Sequence, residues 1–280
     1  MMRMRLNNTL FQIPIINNVL YYDTIDSTNN KAKELAKRGS VHGSLVVAKS
    51  QTAGRGRMGR SFSSADNQGL YFSLMLRPNV SMNHLSSITL VTALAVSTAL
   101  DTICNLNTTI KWPNDIYINN KKAVGILTEA GPDYVVIGIG VNVNNKEFPS
   151  DISDTATSLY LETGTEYDLA IVLSTVLESI NKLYHCFVSD NSLDFSYTNH
   201  LGATISFIEQ YNSRLRSLNK QVYIIPYELT KQAANPALID TSELEAMLCK
   251  GIDSAGCLIC IDSKGYTHQV NSGEVSLRLG

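Results

Sequence analysis

Apolar residues occur along the chain in short runs separated by polar or glycine-containing turns, a pattern that predicts alternating strands and helices. Mostly apolar runs of strand length cover residues 19–23, 44–49, 70–76 and 133–142. Apolar residues recur at helical spacing in two longer segments, 84–104 and 168–187. Each of these predicts a helix whose apolar face packs on the core. A shorter helix is predicted over 31–38, where Gly39 follows and ends it.

The second half of the pattern predicts further strands and a change of architecture. Residues 108–112 predict a strand that runs into a turn, 116–118 and 123–127 predict a β-hairpin, and 144–159 predict a polar loop. From about residue 200 the predicted strands become short, and they cover 203–207, 221–225 and 257–261. We therefore predict two domains, 1–198 and 199–280, the second with an insertion near 227–247.

Composition limits the class of protein. The chain has 280 residues, of which 44% are hydrophobic, enough for a sizeable core. Its formal net charge of −2 predicts no general attraction to nucleic acid. The N-terminal residues lack the apolar core of a signal peptide, and the apolar stretch from about Ile88 meets Asp101 too soon to span a membrane. We therefore expect a cytoplasmic protein.

The cysteines do not indicate a metal site. Cys257 and Cys260 form a C-x-x-C pair within an apolar, strand-like run. Residues i and i+3 of a strand point to opposite faces, and no second pair or histidine cluster completes a zinc site. We expect two buried thiols here.

The most distinctive stretch of the sequence is 51–62, in which glycines alternate with arginines. Its members are Gly54, Arg55, Gly56, Arg57, Gly59 and Arg60. Glycines let backbone N–H groups approach a ligand closely, and arginines offer planar forks of donors that suit carboxylate and phosphate oxygens. The stretch therefore predicts an anion-binding loop. A second cation, Lys111, lies at the start of a turn of sequence Trp-Pro-Asn-Asp.

The glycines also match the G-x-G-x-x-G fingerprint of dinucleotide-binding folds. That fingerprint requires a strand before the glycines and a helix that begins on them. The strand at 44–49 is present, but a polar segment and another predicted strand follow. We therefore exclude a Rossmann site, and also a P-loop, because no Gly-Lys-Ser/Thr follows the glycines.

Two smaller motifs each allow two interpretations. Ser27 and Thr28 precede the first helix, where they could cap it or face a ligand; we favour the cap, although one position can do both. Gly138 and Gly140 lie two apart in a predicted strand and hence on one face. They could admit close packing or leave a slot for a ligand.

The cations suggest a reaction class. Arg55, Arg57, Arg60 and Lys111 are four cations without four matching carboxylates nearby in the sequence. Such a set suits a carboxylate and phosphates bound together, because cations screen the two anions and stabilise the crowded phosphorus transition state. This chemistry is the activation of a carboxylate by a nucleotide.

Four segments together resemble the biotin protein ligases: Asp26-Ser-Thr-Asn29, Gln51-x-x-Gly-Arg-Gly-Arg-x-Gly-Arg60, Lys111-Trp-Pro-Asn-Asp-Ile116 and Gly138-Ile-Gly-Val-Asn142. Their order and spacing agree over residues 20–190, and 273–278 resembles the end of that family's C-terminal domain. The resemblance implies an α+β fold: a mixed β-sheet with helices packed on one side, as in class II synthetases, and a small C-terminal SH3-like β-barrel.

The resemblance also implies an activity. Such enzymes join biotin to ATP as biotinyl-5′-adenylate, release pyrophosphate, and transfer biotin to one lysine of a biotin carboxyl carrier domain, typically in a carboxylase. The substrates are thus biotin and ATP, and ATP implies Mg²⁺, for which the sequence indicates no ligand set.

The resemblance also implies site residues, at the positions of this sequence that match the family's motifs. For biotin binding they are Ser27, Thr28, Gln51, Gly54, Arg55, Arg57, Lys111, Gly138 and Gly140. For nucleotide binding they are Arg57, Arg60, Phe62, Lys111, Asn114, Asn142 and Arg278. Lys111 and Arg57 are the catalytic candidates. Phe62 stands where well-known members have a Trp near the adenine; Phe also stacks, less extensively.

Some members of this family also carry an N-terminal helix-turn-helix and repress transcription. Only residues 1–18 precede the first predicted strand here, too few for that module. We therefore expect a monofunctional ligase with no specific DNA partner and no membrane partner. Two alternatives remain: a lipoate or octanoate ligase on a similar scaffold, and a biotin-responsive DNA-binding regulator.

Overall fold

The computed structural model describes residues 9–64, 68–80, 84, 86–199, 201–225, 229, 239–271 and 274–277. Its centre is a seven-stranded mixed sheet. The strands are β1 (Asn18–Ile25), β2 (Ser44–Gln51), β3 (Gly69–Leu76), β4 (Thr109–Lys111), β5 (Asp115–Ile118), β6 (Lys121–Ala130) and β7 (Val135–Asn142). They lie in the order β1-β2-β3-β7-β6-β5-β4, with β1 and β2 parallel and every other pair antiparallel. The predicted α+β class with a mixed sheet is confirmed.

Five helices accompany the described strands. They are α1 (Thr28–Lys37), α2 (Ser87–Cys104), α3 (Leu159–Thr163), α4 (Leu169–Asp190) and α5 (Phe207–Arg214). The two long helices fall close to their predicted positions. Helix α1 begins three residues before its predicted start, so Thr28 is its first residue and Ser27 is its N-cap. Helix α3 begins at the last residue of the predicted polar loop, and α5 was not predicted.

The two faces of the sheet have different partners because side chains alternate along each strand. Leu70, Phe72, Leu74 and Leu76 of β3 pack with α2 and α4 in the large core. On the opposite face a smaller cluster joins Met75 and residues of β2 and β7 to Ala32 and Ala36 of α1. The long helices thus share one side, as expected, whereas α1 covers part of the other side.

Helix α2 is a core helix. By length and composition alone it could cross a membrane, since it continues past Asp101 to Cys104. However, 72% of it is buried inside the protein, where it packs against α4.

The C-terminal part of the chain forms β structure. Strands β8 (Ser196–Thr198) and β9 (Thr204–Ser206) make a small ribbon before α5. A five-stranded antiparallel sheet follows, in the order β13-β12-β11-β10-β14. Its strands are β10 (Gln221–Ile225), β11 (Ala246–Ile252), β12 (Leu258–Ile261), β13 (Thr267–Val270) and β14 (Glu274–Leu277). The small β structure is confirmed. The domain boundary at 198/199 stays a prediction, and most of the predicted insertion lies outside the described residues.

The cysteine prediction holds in part. Cys260 is buried on β12, where it lies directly opposite buried Cys249 of β11. Cys257, by contrast, is partly exposed. Among the residues that the structure describes, no three His, Cys, Asp or Glu side chains cluster as metal ligands would.

Side-chain contacts join the C-terminal part of the chain to helix α2 and to the turn after β4. Arg214 of α5 pairs with Asp101 of α2 and donates to Ser97 Oγ at 3.0 Å, with both charged side chains mostly buried. The Trp112 indole Nε1 donates to the Gly256 carbonyl at 3.1 Å. The residue after Lys111 is therefore anchored on the turn between β11 and β12.

A buried hydroxyl in α5 provides a test of this packing. The Tyr211 side chain is fully buried, its hydroxyl has no hydrogen-bond partner among the described residues, and burial raises its pKa. An unpaired buried hydroxyl costs about 1–3 kcal/mol. We expect Tyr211→Phe to raise the free energy of unfolding by up to that amount, measured by urea unfolding. Tyr266→Phe, at an exposed tyrosine, is the control and should change it by less than about 0.5 kcal/mol. Destabilisation by Tyr211→Phe would contradict the packing described.

Candidate functional site

The N-terminus of α1 lies over the sheet and brings three buried polar residues together. Ser27, Thr28 and Asn29 are all less than 5% exposed. Ser27 occupies the N-cap position with extended backbone. The predicted N-cap position of Ser27 is confirmed, but its side chain makes no capping hydrogen bond, and a side chain from β2 takes over part of that role.

That side chain is Gln51, at the end of β2. Its Oε1 accepts from the Thr28 N–H at 2.8 Å and from the Thr28 hydroxyl at 3.2 Å, and its Nε2 donates to Ser64 Oγ at 2.9 Å. Gln51 thus satisfies a free N–H of the first helical turn and also links α1 to the segment after the Gly/Arg loop.

Gly138 makes room for the Asn29 amide. A Cβ at Gly138 would lie 1.9 Å from Asn29 Oδ1. That oxygen accepts from Ser73 Oγ at 2.6 Å, while Asn29 Nδ2 donates to the Leu127 carbonyl at 3.2 Å. Of the two interpretations of this glycine, close packing describes the contact that the structure shows.

The Gly/Arg loop is a narrow ribbon that folds back on itself. The Phe62 N–H donates to the Gly54 carbonyl at 2.9 Å and the Gly56 N–H donates to the Arg60 carbonyl at 2.7 Å. At its tip Met58 has φ 56°, in the left-handed region, within the short turn Arg57–Gly59. The ribbon carries its three arginines above the sheet.

Phe62 covers the second glycine. A Cβ at Gly140 would lie 2.5 Å from Phe62 Cε1, and one at Gly125 of β6 would lie 3.0 Å from Phe62 Cε2. Gly125 and Gly140 are directly paired across the two strands. The ring therefore lies over a patch of sheet that carries no side chains.

The turn after Lys111 closes the far end of the site. Asn114, 9% exposed, donates from Nδ2 to the Ile126 carbonyl at 2.9 Å and to Asp115 at 2.9 Å. Its Oδ1 accepts from Arg57 Nη1 at 3.0 Å. Asp115 in turn pairs with Lys122 at 2.8 Å. The turn is thereby fixed to β6 and holds the side chain of Arg57.

These parts enclose a cavity of about 110 Å³ on the α1 face of the sheet. Most of the predicted site residues line it: Ser27, Thr28, Gln51, Arg55, Arg57, Arg60, Phe62, Lys111, Asn114, Gly138 and Gly140. Among the described residues, its charged lining consists of five cations, the three arginines with Lys111 and Lys122, and one carboxylate, Asp115. The cavity is thus suited to an anion.

Two predicted residues that the structure describes, Gly54 and Asn142, do not line it. Gly54 lies where a Cβ would be 2.4 Å from the Phe62 carbonyl, so its position serves the closure of the ribbon. Asn142 is buried and donates to the Thr157 carbonyl at 2.9 Å. Arg278 lies outside the described residues. Roles for these three in binding stay predictions.

Several lining residues were missed by the sequence analysis. They are Asn29, Gly56, Ser61, Trp112, Asp115, Lys122, Gly125, Ile126, Leu127 and Ile139. Asn29 belongs to a recognised motif and could have been assigned. Gly125 could be found only by knowing that it pairs with Gly140, which requires the register of the hairpin against β7.

Comparison with known proteins places the chain in a family. The model of the biotin/lipoate A/B protein ligase family matches residues 21–142. The solved structure of biotin protein ligase from Aquifex aeolicus, in complex with biotin and ATP, superposes with a TM-score of 0.75 and 31% identity, covering 95% of this chain and all of that one. This chain belongs to the biotin/lipoate A/B protein ligase family. The resemblance to biotin protein ligases found in the motifs is confirmed.

Two curated relatives are similar to this chain in sequence. The bifunctional ligase/repressor BirA of Bacillus subtilis is 40% identical over 217 residues, which are 73% of this chain and 64% of that protein. The biotin–[acetyl-CoA-carboxylase] ligase of Mycobacterium tuberculosis is 32% identical over 148 residues, 49% of this chain and 54% of that one. The chain spans a little under two thirds of the length of the Bacillus BirA relatives.

The contact between Gly138 and Asn29 gives a test of the site's packing. Gly138→Ala should lower the free energy of unfolding by about 1–3 kcal/mol, the usual cost of overpacking, because the amide is held by hydrogen bonds and cannot withdraw. In an Asn29→Ala background the same substitution should cost much less. Equal costs of Gly138→Ala in both backgrounds, measured by denaturant unfolding, would contradict this account.

Proposed function

We propose that this family member is a biotin protein ligase: it activates biotin with ATP to biotinyl-5′-AMP and transfers the biotinyl group to a lysine of a carrier domain. The observation that carries the proposal is that the two ends of the cavity differ in chemistry. Neutral buried hydroxyl and amide groups lie at one end, and the Gly/Arg loop and Lys111 lie at the other. The Aquifex structure with biotin and ATP supports this assignment of ligands.

In the proposed binding mode the polar head of biotin lies near Ser27, Thr28 and Gln51. Hydroxyl and amide groups can both donate and accept, as a ureido head requires. Apolar atoms of Phe62, Ile126 and Leu127 cover the rest of the molecule, which leaves its carboxylate directed at Arg57 and Lys111.

The proposed chemistry has two steps. A carboxylate oxygen of biotin attacks the α-phosphorus of ATP, the P–O bond to pyrophosphate breaks, and a mixed anhydride forms. The lysine amine of the carrier then attacks the acyl carbon and AMP leaves. Arg57 and Lys111 would lower the barrier by offsetting the charge that accumulates on the phosphoryl oxygens.

Mg²⁺ would enter with ATP. Magnesium is usually held by one or two carboxylates and the substrate's phosphates. Asp115 is the carboxylate that lines the described cavity, and it is paired with Lys122. The donor set thus fits a metal carried mainly by phosphate oxygens, without a dedicated protein cage.

A lipoate ligase is the second candidate, because the family includes both chemistries. The buried polar cluster of Ser27, Thr28 and Asn29 favours biotin. A ureido ring can exchange hydrogen bonds with the hydroxyl groups of Ser27 and Thr28, whereas a dithiolane ring cannot, and a site built for polar groups discriminates strongly against a ligand that lacks them.

We propose a biotin carboxyl carrier domain of a carboxylase as the acceptor, supported by the name of the Mycobacterium tuberculosis relative. We also propose that the protein acts in the cytoplasm, with no membrane partner. The expectation of no specific DNA partner stays a prediction, since the BirA relatives are named ligase/repressors. A sequence-specific footprint on DNA at moderate salt would contradict it.

Lys111 gives the sharpest test of the proposed chemistry. Lys111→Ala should slow both adenylate formation and transfer by about 2–4 kcal/mol of barrier each, the scale of losing one preorganised electrostatic contact. The two steps are measured separately, by adenylate formed without carrier and by transfer from preformed adenylate. Lys121→Ala, whose amine bonds to the Ser153 carbonyl away from the cavity, is the control. Near-normal rates in folded Lys111→Ala would remove this residue from the mechanism.

A further inference from the structure

Glu129, near the end of β6, is a carboxylate that does not line the cavity but contacts two residues that do. Its side chain is 21% exposed. It accepts from Asn29 Nδ2 at 3.0 Å, and it pairs with Lys33 at 2.8 Å and with Arg55 at 3.1 Å. One side chain thus joins the sheet, helix α1 and the Gly/Arg loop.

The surroundings keep this carboxylate charged. Burial opposes its ionisation, but hydrogen bonds from Lys33 and Asn29 and the charge of Arg55 outweigh it and lower the pKa of Glu129. At neutral pH it therefore presents two anionic oxygens to its three donors.

The pairing gives Arg55 a different position from the other loop arginines. Its Nη1 contacts Glu129 and also donates to Asn30 Oδ1 at 3.0 Å, so the guanidinium is directed at α1 and the end of β6. Arg57, in contrast, is directed at Asn114 on the opposite side. Among its contacts with the described residues, the loop is thus attached to Glu129 through Arg55 and to the turn after Lys111 through Arg57.

The loop also limits access to the cavity. Phe62 and the arginines fill space above the sheet, and the remaining 110 Å³ is smaller than the about 300–1,000 Å³ of typical ligand sites. The contacts that hold the loop therefore affect how easily a ligand enters and leaves.

We propose that Glu129 is a positioning residue that latches the Gly/Arg loop closed through Arg55. This inference rests on the proposed ligase function, and it assigns Arg55 to retention of the adenylate instead of contact with the reacting phosphate. The mixed anhydride reacts with any amine once it leaves the protein, so specific transfer depends on a slow escape.

The experiment compares Glu129→Ala, Arg55→Ala and the double variant with the wild type. The rate of escape of preformed biotinyl-5′-AMP is measured by dilution into excess unlabelled biotin and ATP. We expect each single variant to release adenylate about tenfold faster, and the double variant to be no faster than either single one, because both remove the same contact. Single-turnover synthesis by Glu129→Ala, which changes a residue outside the cavity lining, should stay within about threefold of wild type at saturating substrates.

Lys33→Ala is the matched control. It removes an ion pair from the same carboxylate and leaves the pairing of Glu129 with Arg55 in place. Its escape rate should stay within about twofold of wild type. Glu129→Gln, which keeps an acceptor oxygen but loses the charge, should give an intermediate escape rate.

A second measurement needs no substrate and so separates the latch from the proposed function. Trypsin cleavage after Arg57 and Arg60 reports loop opening in the free protein. Glu129→Ala and Arg55→Ala should speed that cleavage about equally, and Lys33→Ala should not. The latch would be overturned if Glu129→Ala changed neither the cleavage rate nor the escape rate. It would also be overturned if the double variant released adenylate faster than both single variants, by the product of their separate effects. Faster cleavage in a protein that makes no adenylate would support the latch and overturn the ligase proposal.

Discussion

Gly125, Gly138 and Gly140 leave one patch of the central sheet without side chains, and the site is assembled in the space above it. Asn29 of α1 packs on Gly138, and Phe62 of the Gly/Arg loop packs on the other two glycines. Any side chain at these positions would displace one of them. The helix, loop and sheet can come this close because the opposite face of the same strands is buried against α2 and α4 and holds the sheet in place.

Charge is arranged around that patch in two layers. Five cations and a single carboxylate line the described cavity, which makes it attractive to a carboxylate and phosphates together. Glu129, outside the lining, pairs with Arg55, and Asn114, within the lining, accepts a hydrogen bond from Arg57. Groups that are already oriented can stabilise developing charge without reorganising during the reaction. The fold therefore serves the proposed reaction mainly by placing cations before the substrates bind.

Much of the site could be predicted from sequence, for a physical reason. Gly138 and Gly140 had to share a face because they lie two apart in a strand, and Arg55, Arg57 and Arg60 had to share a loop because glycines separate them. What could not be predicted depends on pairing between distant segments. Glu129 meets Arg55 only because β6 pairs with β7 while α1 crosses the same face. The position of α1 opposite the long helices, and helix α5 within a region of short strands, have the same origin.

The central claim is that the cavity joins a polar-headed carboxylic acid to a nucleotide. The most direct measurement is to incubate the protein with ATP, Mg²⁺ and either biotin or lipoate, without carrier, and to identify the bound product by mass spectrometry. The account predicts biotinyl-5′-AMP and pyrophosphate with biotin, and little or no lipoyl adenylate. Preferential formation of lipoyl adenylate, or no adenylate from a folded protein with either acid, would contradict it.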